Sequence, residues 1–250
     1  MKISLPLYGL AVLSIASSRQ AVAQSTSSDT TLLAAAKSQV AQRYTAHIQD
    51  QSQLYNGPEY FNYTRYYQEV QGNQFFGTAT AQPGSVYYAG HYYSNVPLLY
   101  DTRLDQVVVQ QPTNLFTLRL VSEKVSRFTL QGHTFIRLTK DTAANQDITP
   151  GFYDLLVDKG VTLLARRVKK IQVQPSQNIT KASFSATNQY FIKRDRVYYP
   201  VKGRGSFISL FPDRRRELQQ YAREKKLRFR KKGLEDDLIA LVNYYASLPQ

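Results

Sequence analysis

The spacing of apolar positions along the chain changes twice, and each change marks out a segment. Leu32, Ala36, Val40, Tyr44 and Ile48 recur at every fourth residue, which puts them on one face of a helix over 32–50. Asp29 is placed to cap that helix. Leu54-Tyr55-Asn56-Gly57-Pro58-Glu59-Tyr60 ends it, because Asn-Gly followed by Pro is turn chemistry.

From about 60 to 210 the period shortens to short β-type runs parted by turn residues, the pattern of an antiparallel meander. Val86 to Tyr88 and His91 to Tyr93 flank Ala89-Gly90, and Phe128 to Leu130 and Thr134 to Leu138 flank Gln131-Gly132-His133. Phe152 to Val157 and Val161 to Arg166 flank Asp158-Lys159-Gly160, where the glycine suits the left-handed position of a three-residue loop. Tyr190 to Lys193 and Val197 to Val201 flank Arg194-Asp195-Arg196. Leu98 to Tyr100, Val107 to Gln110 and Phe116 to Leu120 add further strands, about eight or more in all, most of them four to seven residues long.

The tail returns to helical spacing. Pro212-Asp213 opens a helix with Leu218, Tyr221 and Ala222 on one face, and Leu234, Leu238, Leu241, Val242, Tyr245 and Leu248 form the stripe of a second. The pattern therefore predicts an α+β fold. Its body is an antiparallel β-meander, twisted or partly closed, with an N-terminal helix and two C-terminal helices. No repeat and no long linker divides residues 32–250, so they read as a single mature domain.

The N-terminus changes where this domain is expected to work. Met1-Lys2 precedes an apolar stretch from Ile3 to Ala16, followed by Ser17 to Gln20 and then Ala21-Val22-Ala23. A charged start, a short apolar run and a small-x-small site read as a cleavable signal peptide over 1–23, with Gln24 to Thr31 a polar lead-in. The run is shorter than the roughly 20 residues a membrane helix needs, and no later segment reaches that length. The expected location is the periplasm or the exterior. With no cysteine, the chain offers neither disulfides nor the residue a lipoprotein signal acylates.

The chain carries 32 Lys and Arg against 18 Asp and Glu, a formal net charge of +14 that loss of Lys2 and Arg19 would lower by two. Such a surplus favours acidic partners: anionic lipid, lipopolysaccharide or acidic polysaccharide. It is concentrated in the tail, where Arg214, Arg215, Arg216, Lys225, Lys226, Arg228, Arg230, Lys231 and Lys232 face only Glu217 and Glu224. The alternative reading of this run is a solvated helix face. Aromatic residues are not interleaved there as a nucleic-acid stacking platform requires, so specific nucleic-acid binding is not expected. Tyrosines from Tyr55 to Tyr100 suit either a covered sheet or a surface that stacks on sugars or lines a partner groove.

Catalytic signals are sparse. His47, His91 and His133 lie in no metal-ligand spacing, and the sequence contains no nucleophile elbow, P-loop or dinucleotide fingerprint. No cofactor, metal or catalytic residue is therefore assigned. A histidine site would need partners from across the sheet, such as His91 with Asp101 or Asp105. Gly203-Arg204-Gly205-Ser206 reads as a turn, and Glu235-Asp236-Asp237 as acids favoured by a helix dipole. A non-catalytic envelope protein is the leading expectation. A hydrolase assembled on the sheet and an outer-membrane β-barrel are the alternatives.

The leader, the Leu54-Tyr55-Asn56-Gly57 break, the run Val86-Tyr87-Tyr88-Ala89-Gly90 with Asn95-Val96-Pro97-Leu98-Leu99-Tyr100-Asp101, and the tail from Phe211-Pro212-Asp213-Arg214 through Asn243-Tyr244-Tyr245 resemble a group of uncharacterised secreted proteins of the Bacteroidota. The resemblance implies a Gram-negative envelope location and no chemistry. Under it, the acceptor-like triplets Asn62-Tyr63-Thr64 and Asn178-Ile179-Thr180 are chance matches.

Overall fold

A computed structural model describes residues 37–39, 53–112, 116–140, 148–175 and 179–249. The chain forms two units, 1–48 and 49–250. In the first, residues 37–39 are helical. The expected signal peptide, the lead-in and the rest of the helix expected over 32–50 lie outside the described residues.

In the second unit the strands are β1 (Glu69–Gln71), β2 (Gln82–Tyr88), β3 (His91–Asp101), β4 (Gln106–Gln110), β5 (Thr117–Arg119), β6 (Val125–Leu130), β7 (His133–Leu138), β8 (Gly151–Lys159), β9 (Val161–Pro175), β10 (Thr180–Arg194) and β11 (Val197–Val201). They join in one open sheet in the order β1-β10-β9-β8-β7-β6-β2-β3-β4-β5, with β11 also on β10. The body is thus mostly antiparallel β, with helices a minor part. Two runs of neighbours, β2 to β5 and β6 to β11, meet where β2 pairs β6. The short β1 is the parallel exception, lying beside residues 181–183 of β10.

Three hairpins turn on two residues: Ala89-Gly90, Gln131-Gly132 and Asp195-Arg196. In each, both central residues have positive φ, the geometry whose twist matches that of paired strands. The three-residue loops expected at 131–133 and 194–196 are therefore shorter by one, since His133 pairs with Leu130 and Arg194 with Val197. Gly160 does take the left-handed conformation, at φ 70, but the flanking strands continue to Lys159 and Val161. Strand length is also longer than the sequence pattern suggests: β9 and β10 each run 15 residues. Polar and small residues such as Gln172, Ser183, Ser185 and Thr187 hide their continuation, because that part of the hairpin is largely exposed and needs no sustained apolar alternation.

Accumulated twist curls the sheet. The Tyr100 ring on β3 lies 5.2 Å from Phe128 on β6, 5.0 Å from Phe135 on β7 and 6.0 Å from Phe152 on β8. The concave core around them includes Val86, Leu98, Val107, Val109, Val125 and Leu130. A second core gathers Leu163, Ala165, Tyr190 and Ile192 of the sheet with Phe207, Phe211, Leu218, Leu238, Leu241 and Val242 of the tail. The opposite face of β7 to β11 carries its own cluster, in which Ile148 from the segment before β8 joins Leu138, Tyr153, Leu164, Phe191 and Tyr198.

The tail forms α1 (Arg204–Ile208), α2 (Arg215–Glu224) and α3 (Leu234–Ser247). Gly203-Arg204-Gly205-Ser206, expected as a turn, instead opens α1. Ser206 Oγ accepts the amides of Lys202 and Gly203 at 2.9 and 3.1 Å, which stabilises a helix start.

Candidate functional site: a basic loop and its anchor

Between α2 and α3 the chain runs from Lys225 to Gly233 with alternating burial. Leu227 and Phe229 are half-buried against the helical core, whereas Lys225, Lys226, Arg228, Arg230, Lys231 and Lys232 are exposed. The loop begins by closing α2: the Leu227 amide donates to the Ala222 carbonyl at 2.9 Å, with Lys226 at φ 55. That is the left-handed helix stop in which glycine is usual. Further on, Asp237 Oδ2 accepts the amides of Arg228 at 3.0 Å and Phe229 at 2.6 Å. Two half-buried apolar side chains and one carboxylate thus fix the backbone, and the basic side chains project from it.

Arg215 and Arg216 are also exposed, but at the start of α2. A ten-residue helix separates them from Lys225 by about 15 Å. The basic residues therefore form two groups rather than one cluster, and exposed Arg223 adds to the second. Arg214 belongs to neither. It is half-buried, with Nη1 3.5 Å from Glu217 and Nε 3.8 Å from Asp213, and its Nη2 donates to the Pro249 carbonyl. Arg214 clasps the end of the chain to the start of α2.

The acids at the start of α3 do more than favour a helix dipole. Glu235 receives both terminal nitrogens of Arg167 on β9, the Nη2 to Oε1 distance being 2.8 Å. The Tyr190 hydroxyl donates to the same carboxylate at 3.0 Å. On its other side Arg167 holds Asp154 on β8, with Nε and Nη2 at 2.9 and 2.5 Å from Oδ2. Asp154 also meets His133 Nδ1 at 2.8 Å, and the His133 ring stands edge-on to Phe76, centroids 5.0 Å apart. This polar seam lies between the concave core and the helical core. Burial works against the charge of Arg167, yet the hydrogen bonds it donates to Glu235 and the attraction of Asp154 outweigh it and push its pKa further up. Burial likewise opposes ionisation of Glu235, but the Arg167 hydrogen bond and charge hold it below the usual carboxylate range.

The sequence offers His91 with Asp101 or Asp105 as an example of a pair assembled across the sheet; the structure instead brings His133 to Asp154. His91 is exposed beside the Ala89-Gly90 turn. Asp101 accepts the Tyr60 hydroxyl at 2.7 Å and the amides of Arg103 and Leu104, both at 2.9 Å. Asp105 accepts the Tyr100 hydroxyl at 2.7 Å, and burial raises its pKa. These carboxylates close the β3–β4 turn. His47 lies outside the described residues. Among the described residues no group of three acidic, histidine or cysteine side chains is placed to hold a metal ion, and no helix is long and apolar enough to cross a membrane.

Compared with protein-family models, curated proteins and solved structures, the chain finds no match.

Proposed function

We propose that this is a non-catalytic exported envelope protein that attaches to an anionic surface through the basic groups of its tail. The phosphates of lipids or lipopolysaccharide, or an acidic polysaccharide, would supply the charge. One observation carries the reading: the Lys225 to Lys232 loop presents six exposed cations on a backbone pinned by Asp237, Leu227 and Phe229. A pinned loop loses little conformational entropy on binding, so more of the attraction appears as affinity. Each exposed basic residue near an anionic surface contributes about 1 kcal/mol, and the sum falls with salt.

The seam of His133, Asp154, Arg167 and Glu235 fits this reading as an anchor that holds α3, and with it the loop, against the sheet. Asp154 is committed to Arg167 as well as to His133. That arrangement fixes position more than it frees a base. An outer-membrane barrel needs a closed sheet, since edges in lipid leave backbone groups unpaired; here the sheet is open.

Sedimentation with vesicles containing lipopolysaccharide, and with neutral phosphatidylcholine vesicles, tests the proposal. Binding to the first and not the second is expected. Equal partitioning would remove the electrostatic reading.

A further inference from the structure

Strand β10 is paired on one side along nearly its whole length, but on the other side only at its two ends. Its register with β9 runs unbroken from Thr180 to Lys193. On the far side β1 covers residues 181–183 and β11 covers 190–194. Among the described residues no strand lies beside the stretch between them, Phe184 to Gln189. The chain leaves β1 at Gly72, which holds φ 78 and packs so that a Cβ there would lie 3.4 Å from Phe184 Cβ. At the other end β11 stops at Val201, just before α1 begins at Arg204.

An edge strand turns alternate backbone N–H and C=O groups outward, and proteins guard such edges with charge, proline or a bulge. Residues 184–189 contain no charged residue and no proline, and the pairing with β9 shows no register shift across them. Ser185 to Gln189 are all exposed. Because β1 and β11 hold both flanks in the sheet, this open backbone is extended before anything binds to it, which lowers the entropic cost of pairing. It spans about 20 Å. Where β11 stops, a cleft of about 610 Å³ opens beside Asn188, Gln189, Val201 and Lys202. A smaller one of about 190 Å³ lies beside Ala186 and Asn188, with Phe76 in its wall.

The charge around the edge has one sign. Lys202 stands at one end, and Lys170, the β9 partner of Ser185, at the other. Both are exposed, and among the described residues neither belongs to an ion pair. Ser185 is too short to screen Lys170 from the edge. The neighbouring acids are neutralised, Glu69 by Lys181 at 2.7 Å and Glu235 by Arg167 at 2.8 Å. We infer that residues 184–189 take up an extended acidic peptide of a protein partner as an added strand. Main-chain hydrogen bonds to β10 supply the affinity, while Lys170, Lys202 and the two clefts select the side chains. A second copy of the chain does not fit, since antiparallel pairing centred on this stretch would bring β11 of one copy onto β1 of the other. The inference is independent of the basic tail.

Titration of the full chain with an acetylated, amidated hexapeptide of alternating valine and glutamate, followed by calorimetry and amide exchange, tests this inference. The acidic peptide is expected to bind and to slow exchange within residues 184–189, and the corresponding valine–lysine peptide to bind far more weakly. N-methylation at every valine blocks one edge of the peptide strand, and N-methylation at every glutamate blocks the other. One of the two should abolish binding and the other preserve it. Lys170→Glu with Lys202→Glu should weaken binding about tenfold while keeping the wild-type unfolding midpoint, because both side chains are exposed. Lys231→Gln with Lys232→Gln should leave it unchanged. Absence of acidic-peptide binding, binding without slower exchange in residues 184–189, an equal effect of the two N-methylations, or preference for the lysine peptide would each overturn the inference.

Discussion

Glu235 and Arg167, 68 residues apart in sequence, share a two-pronged ion pair that ties the first turn of α3 to the middle of β9. Arg167 is also the buried partner of Asp154, whose side chain is 1% exposed. Arg167→Met removes the compensation for both carboxylates. Leaving a buried charge unpaired costs about 3–5 kcal/mol, so the urea midpoint of this variant should drop sharply. Glu235→Gln keeps the shape of the contact and should cost less, because Glu235 retains some contact with water.

The same pair sets part of the acid response. The pKa of Glu235 in the folded protein lies below its ordinary value of 4.5. Its stabilisation is therefore present above that value and is lost as pH falls through the depressed folded pKa. Asp105 has the opposite sign. Its pKa is raised from 3.8 by burial, so its contribution is present below 3.8 and is lost as pH rises through the raised folded pKa. Urea midpoints measured over about pH 3 to 7 should fall less steeply toward acid in Glu235→Gln than in wild type, and more steeply in Asp105→Asn.

Asp195 and Arg196 hold φ values of 50 and 67 in a two-residue hairpin, a conformation in which Asn-Gly is favoured. Relieving the left-handed strain at Arg196 with glycine, alongside Asp195→Asn, should stabilise the protein by about 1 kcal/mol. Thermal unfolding of the double variant checks this, and the expected change is a rise in melting temperature.

The β-rich body was legible because apolar runs and turn residues punctuate residues 82–138 closely, and the Ala89-Gly90 and Gln131-Gly132 turns fall where the chain reverses. Pairing across the chain was not legible. Nothing local in Val86 or Phe128 says that β2 lies beside β6, since sheet order depends on contacts distant in sequence. The basic tail stood out by composition, but Arg214 could not be separated from Arg215 and Arg216, because its role depends on Glu217 and the Pro249 carbonyl. Glu235 and Asp237 looked alike for a similar reason. One turns to the sheet and the other to the loop, and only the folded positions of Arg167 and Arg228 distinguish them.

Pinning of the basic loop also gives Asp237 a measurable role. Asp237→Ala removes the acceptor of the Arg228 and Phe229 amides, and losing such a carboxylate contact costs on the order of 1–3 kcal/mol locally. Amide exchange at Arg228 and Phe229 should accelerate, while β8 and β9 keep wild-type protection.

The salt dependence of binding to anionic vesicles tests the central claim most directly. Wild type and a variant with Lys225, Lys226, Arg228, Arg230, Lys231 and Lys232 all changed to glutamine can be compared across a series of salt concentrations. Wild-type affinity should fall steeply as salt rises, and the variant should bind weakly with a shallow slope. Its unfolding midpoint should stay close to wild type, because exposed charges contribute little to stability. Wild-type and variant curves that coincide at low salt would contradict attachment through the loop and reduce its charge to a solvated surface.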